Sequence, residues 1–218
     1  FLLCYFSRND EKLKNQIYYI VLIALFLFTA YRYQVGCDWY HYYRLFIRFE
    51  NNDLSEILNL RDPFSMLIFY GINKMKLPYP YIYIPFALIF YLGVHILSRR
   101  QQDPLSFIVF LFPILIIHIT MSGVRQAAAI GVICIAIVAF IDKRPLRFIL
   151  FVIIATLFHS SAIIFLILLP FASGKHNNYR LLVAILFVLS SSFLIAFSKD
   201  AQFAINAYIG TGREAFGA

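Results

Sequence analysis

The sequence predicts an all-α, polytopic membrane protein: about six full transmembrane helices, a truncated N-terminal span and one short re-entrant or interfacial helix. Three observations carry this. Charged residues make up only 14% of the 218 positions and hydrophobic ones 61%, whereas a soluble domain carries about a quarter charged. Mean hydropathy is +0.76. Long apolar runs alternate with clusters of charge, which suits helices; a barrel would show alternating strands of about ten residues, and none is legible.

The elements follow in order. The opening FLLCYFSRNDEKLK has no Met and only a brief apolar piece, too little for a signal peptide, so it reads as the tail of a span. The chain is expected to be a single transmembrane domain, 1–218, cut from a longer protein. A crossing helix needs about 20 apolar residues. Ile17–Tyr31 is short for this and is expected to extend at both ends. Tyr81–Ser98, Leu105–Met121, Val124–Ile141, Leu146–Phe171 and Leu181–Phe197 all qualify. Pro63–Leu77 holds Gly71, Asn73, Lys74 and Lys76 and is too short to cross, so it is expected to re-enter or lie flat.

Loop sidedness depends on that segment. If it does not cross, the loops Arg8–Asn15, Arg99–Asp103 and Asp142–Arg147 share one face and read as cytoplasmic, being short and basic. The loop Arg32–Asp62 and the turn Ser122–Arg125 then share the other face. The net charge of +8 is accounted for by these loops beside lipid headgroups, and nucleic acid is not an expected partner. Cys4, Cys37 and Cys134 have no metal or disulfide spacing. Gly123, Ala127 and Gly131 form a small-residue stripe suited to close helix packing.

Three stretches carry groups that could do chemistry. The first, Tyr31–Phe46, reads YRYQVGCDWYHYYRLF. Its rings suit an interfacial belt, yet Arg32 and Asp38 exceed what a connecting loop needs, and Gly36 permits a sharp turn between them. From Asp38 onward an amphipathic helix is expected, with Tyr42 and Phe46 on one side and Arg44 and Arg48 on another. A carboxylate beside Trp39, Tyr42 and Tyr43 suits a sugar, whose hydroxyls need acceptors and whose C–H face stacks on rings. In the second, HITMSGVRQAAAIGVIC, Arg125 begins a helix, where backbone N–H groups and a guanidinium favour an anion. The third, LFHSSAIIF, holds His159 inside an apolar run; such a group faces a cavity or a partner and can move a proton. No Walker loop, HExxH, GxSxG or dinucleotide fingerprint is present, so neither metal nor cofactor is expected.

These three stretches, in this order, resemble the EpsG family of polysaccharide polymerases, relatives of the Wzy-type polymerases. The family pattern "RYGVGTDY…YY…F" is similar to Arg32–Trp39 with Tyr42, Tyr43 and Phe46, differing at Gln34, Cys37 and Trp39. Arg125-Gln126 resembles its "RQ" turn and Phe158–Ala162 its "FH.SA" segment. The resemblance implies transfer of a glycan from undecaprenyl diphosphate onto an incoming lipid-linked repeat at the outer face of the bacterial plasma membrane. It makes capsule, O-antigen or another exopolysaccharide the product. Arg125 and Arg32 would hold the diphosphate, with Gln126, Trp39, Tyr42, Tyr43 and Arg44 binding substrate. Asp38, preferred for its place at the water boundary, or His159 would take the acceptor's proton. Expected partners are the lipid-linked oligosaccharide, the bilayer, and the flippase and chain-length regulator of the same pathway. Two other classes, a flippase of such lipids and a membrane O-acyltransferase, would use similar residues.

Overall fold

A computed structural model describes residues 10–49, 62–171 and Ile185, and the described residues form helices only. They run α1 (Glu11–Ala30), α2 (Trp39–Arg48), α3 (Pro63–Lys74), a short 3-10 turn (Tyr79–Ile82) leading into α4 (Tyr83–Ser98), α5 (Pro104–Ser122), α6 (Val124–Ile141), α7 (Pro145–Phe158) and a 3-10 helix (Ser160–Phe171). By contact the chain divides into two compact units, Phe1–Leu166 and Ile167–Ala218; the description below concerns the first.

Among the described residues, four helices are long and apolar enough to cross a membrane: α1, α4 with its leading turn from Tyr79, α5 and α6. The span expected at Ile17–Tyr31 reaches back to Glu11, because Asp10 caps it by accepting from the Lys12 and Leu13 amides at 2.9 and 3.0 Å. The run expected to cross as Leu146–Phe171 is interrupted. Helix α7 stops at Phe158, His159 takes an extended backbone (φ −156°, ψ 120°), and a tighter coil resumes at Ser160. Two lengths of 14 and 12 residues replace one continuous span. The opening fragment and Leu181–Phe197 fall outside the described residues, Ile185 excepted, which leaves four spans where about six were expected.

The core is set by α4 and α6, which run in parallel. Near their starts Tyr83, Phe86 and Ala87 face Val124 and Ala127; further along, Gly93 meets Gly131 so closely that a Cβ on Gly93 would lie 1.8 Å from the Gly131 carbonyl oxygen. The small-residue stripe of α6 is what permits this approach: Ala127, Ala128, Gly131 and Cys134 are all buried. Helix α1 packs antiparallel to α4, with Tyr18 beside Ser98 at one end and Thr29 near Tyr83 at the other.

The two ends of the bundle differ in chemistry. At one, Lys14 pairs with Asp103 at 3.1 Å, Arg99 donates to the Asn15 side chain at 2.9 Å, and Arg100 pairs with Asp142 at 3.0 Å. The three basic loops therefore do share a face. There Asp103 caps α5: burial raises its carboxyl, but hydrogen bonds from Ser106 and the nearby Lys14 outweigh this and hold it below the usual range. His95 stands in the last turn of α4 with its Nδ1 2.8 Å from the Tyr18 hydroxyl.

At the other end lie α2, α3 and the turns into α4 and α6. Helix α3 has 12 residues, about 18 Å at 1.5 Å per residue, short of a hydrocarbon core of about 30 Å. Its first turn packs on Phe158 and its last turn on Phe46, so it lies across this end of the bundle.

Candidate active site

Arg32 follows α1 directly and turns inward. It is 5% exposed, donates to the Thr120 carbonyl, lies 3.5 Å from the Met121 sulfur and stacks on Tyr83, 4.3 Å from the ring centroid. Burial lowers its pKa, with the Tyr83 ring opposing. The chain after Arg32 then presses on the turn before α6. A Cβ at Gly36 (φ +99°) would sit 1.8 Å from the Met121 carbonyl oxygen, and the Cys37 amide points at the Ser122 hydroxyl at 3.5 Å. The first and second stretches are thus one packed unit. Gln34, where the family pattern carries glycine, also has a left-handed backbone (φ 53°).

Helix α2 begins at Asp38, whose side chain is exposed and makes no cap bond. Tyr42 is buried against Phe69, while Tyr43 is 39% exposed and meets Tyr79 edge-on. Tyr79 also fixes the helix start by donating to the Trp39 carbonyl at 2.8 Å. Arg44 is exposed. Burial pushes the Tyr42 phenol up, against the pull of Arg125 and Arg32, so it stays neutral at ordinary pH.

The second and third stretches meet at a residue that neither contains. Asp62 precedes α3, and its side chain is 4% exposed. Its Oδ2 accepts from Arg125 Nη1 at 3.0 Å and lies 3.3 Å from His159 Nδ1. Its Oδ1 accepts from the Ser160 amide at 2.9 Å. On the other side of the imidazole, Gln126 Nε2 stands 3.3 Å from His159 Nε2. The Arg125 guanidinium is 5.8 Å from the Tyr42 ring centroid, which ties the cluster to α2.

The break in the apolar run explains how this forms. An unbroken helix would keep the Ser160 amide in its own ladder; the extended backbone at His159 frees it to bind a carboxylate. Of the nine residues expected at the site, Arg125, Gln126 and His159 converge on one another, and Tyr42 adjoins them. Arg32 is buried in the same end under Tyr83, and Asp38, Trp39, Tyr43 and Arg44 lie on α2. Asp62 was missed. Nothing in the sequence singled it out, since the stretch Arg32–Asp62 also holds Asp38, Glu50, Asp53 and Glu56.

The sequence profile of the EpsG family matches residues 15–217, nearly the whole chain. The chain belongs to the EpsG family. No curated protein and no solved structure matches it. Membership implies a Wzy-like polysaccharide polymerase working in a membrane, and the matched span includes every residue of the cluster just described. Among the described residues, no group of three or more His, Cys, Asp or Glu could hold a metal ion.

Proposed function

We propose that this protein polymerises oligosaccharide repeat units carried on undecaprenyl diphosphate, at the outward face of the bacterial plasma membrane. The observation that carries this reading is the meeting of Arg125 and Gln126, at the start of α6, with His159, at the break after α7, beside an aromatic helix at one end of an apolar bundle. The opposite end carries Lys12, Lys14, Arg99, Arg100, Lys143, Arg144 and Arg147, which supports placing that end in the cytoplasm and the cluster outside.

In the reaction, a hydroxyl at the non-reducing end of the incoming repeat attacks the anomeric carbon of the lipid-linked glycan. The new C–O bond forms as the bond to the diphosphate breaks, and the lipid diphosphate leaves with the electron pair. Arg125 offers its remaining N–H donors to that developing charge. Arg32, pinned to Thr120 beneath Tyr83, keeps the Ser122–Arg125 turn in place and adds positive potential. His159 Nε2 is the better placed acceptor of the hydroxyl proton, since it stands in the cluster. Asp38, Trp39, Tyr43 and Arg44 line the approach, where sugars would stack and bond. The leaving group comes with the substrate, so the chemistry asks for neither nucleotide nor metal.

A flippase for the same lipid draws support from the interrupted helix at His159, a feature of transporter sites. One experiment separates the readings: purified protein in proteoliposomes receives undecaprenyl-diphosphate-linked repeats. A polymerase yields a ladder of glycans, and Arg125→Ala at equal protein lowers its rate by about 100-fold or more. Lipid transfer across the bilayer without a ladder, or a ladder unaffected by Arg125→Ala, contradicts the proposal.

A further inference from the structure

Asp62 is spent in an unusual way for a residue that precedes a helix. It stands at the N-cap of α3, where an aspartate ordinarily accepts from its own helix, yet it makes no such bond. Its backbone is left-handed (φ 61°, ψ 59°), a conformation that costs a residue with a side chain. The side chain is instead turned inward, and both oxygens serve groups from other elements: Arg125 and His159 on Oδ2, the Ser160 amide on Oδ1.

Those contacts fix more than position. A carboxylate only accepts, so His159 Nδ1 must carry the hydrogen that faces it. In the neutral ring Nε2 is then bare, and Gln126 must present its amide N–H there, as its 3.3 Å approach has it. The Gln126 carbonyl oxygen is turned back toward Gly123, consistent with the same arrangement. Every partner around the imidazole agrees on one tautomer.

We infer that Asp62 is a positioning residue for the transfer reaction: it holds His159 in the Nδ1–H tautomer, with Nε2 bare toward the acceptor hydroxyl. This rests on the polymerase reading above. The acceptor hydroxyl takes the place of the Gln126 amide at Nε2 and gives up its proton there; Asp62 keeps its charge and takes no proton. An Asp62→Asn side chain has the same shape and tolerates the left-handed backbone, but it can donate to Nδ1 and so admits the opposite tautomer.

Two measurements test this. In protein with 15N-labelled histidine, held in membranes, the His159 resonance, identified by its loss in His159→Gln, shows hydrogen on Nδ1 in the wild type. In the ladder assay Asp62→Asn slows chain growth by about 100-fold or more, and adding it to His159→Gln slows that variant no further, because Asp62 acts through the ring. A His159 ring bare at Nδ1, an Asp62→Asn enzyme at the wild-type rate, or losses that multiply in the double variant would each overturn the inference. A wild type that makes no ladder removes the polymerase reading instead, and the resonance still decides whether Asp62 sets the tautomer.

Discussion

Gln34 and Asp62 mark what single residues disclose about this site. Both hold left-handed backbone, at φ 53° and 61°, a conformation glycine adopts freely and other residues at about 1–2 kcal/mol. The family's glycine at position 34 thus has a physical reason, and Gln34→Gly should raise stability by about 0.5–1 kcal/mol, allowing for glycine's larger entropy loss. Thermal unfolding in detergent reads this as a higher midpoint; an unchanged or lower one contradicts it. Arg125 and His159 were legible in the sequence because a charge at a tight turn and an imidazole inside an apolar run are both costly there. Asp62 was not, since one aspartate before a proline looks like an ordinary helix start, and only the fold shows where its carboxylate points. Arg32 was legible as exceptional, although its burial under Tyr83 depends on the α1–α4 packing, which one sequence does not display.

Helices were readable wherever composition alone decides them. Val124–Ile141 matches α6 to the residue, and the short Pro63 segment forms a helix of 12 residues. The break at His159 escaped because hydropathy is blind to it: apolar side chains continue on both sides, and the interruption is held by Asp62 from elsewhere in the chain. The glycine contact between α4 and α6 sets the separation of these two helices, and it is sharply testable. Gly93→Ala or Gly131→Ala places a methyl within 1.8 or 2.5 Å of a backbone oxygen on the facing helix, which neither backbone can yield cheaply. Each should cost about 3 kcal/mol or more. Gly71→Ala in α3 meets nothing within 4 Å and should stabilise by about 0.5–1 kcal/mol. Size-exclusion of detergent-solubilised protein after heating measures all three; equal survival of Gly93→Ala and Gly71→Ala would refute the packing argument.

At the scale of the molecule, three stretches distant in sequence meet at one end of the bundle, and three basic loops meet at the other. The second grouping followed from treating Pro63–Leu77 as non-crossing. The first could only be hoped for, since order along a chain does not place side chains together. Its consequence is a division of labour: Asp38 stands exposed at the rim, while His159 is set between Asp62 and Gln126 close to Arg125. The most direct measurement is therefore the rate of chain growth from undecaprenyl-diphosphate-linked repeats by purified His159→Gln and Asp38→Asn enzymes at equal amounts. The account predicts that His159→Gln loses about 100-fold or more, the usual weight of a general base, while Asp38→Asn stays within about tenfold of wild type, as expected for a hydrogen bond to bound sugar. Wild-type growth by His159→Gln alongside near-complete loss in Asp38→Asn would contradict it.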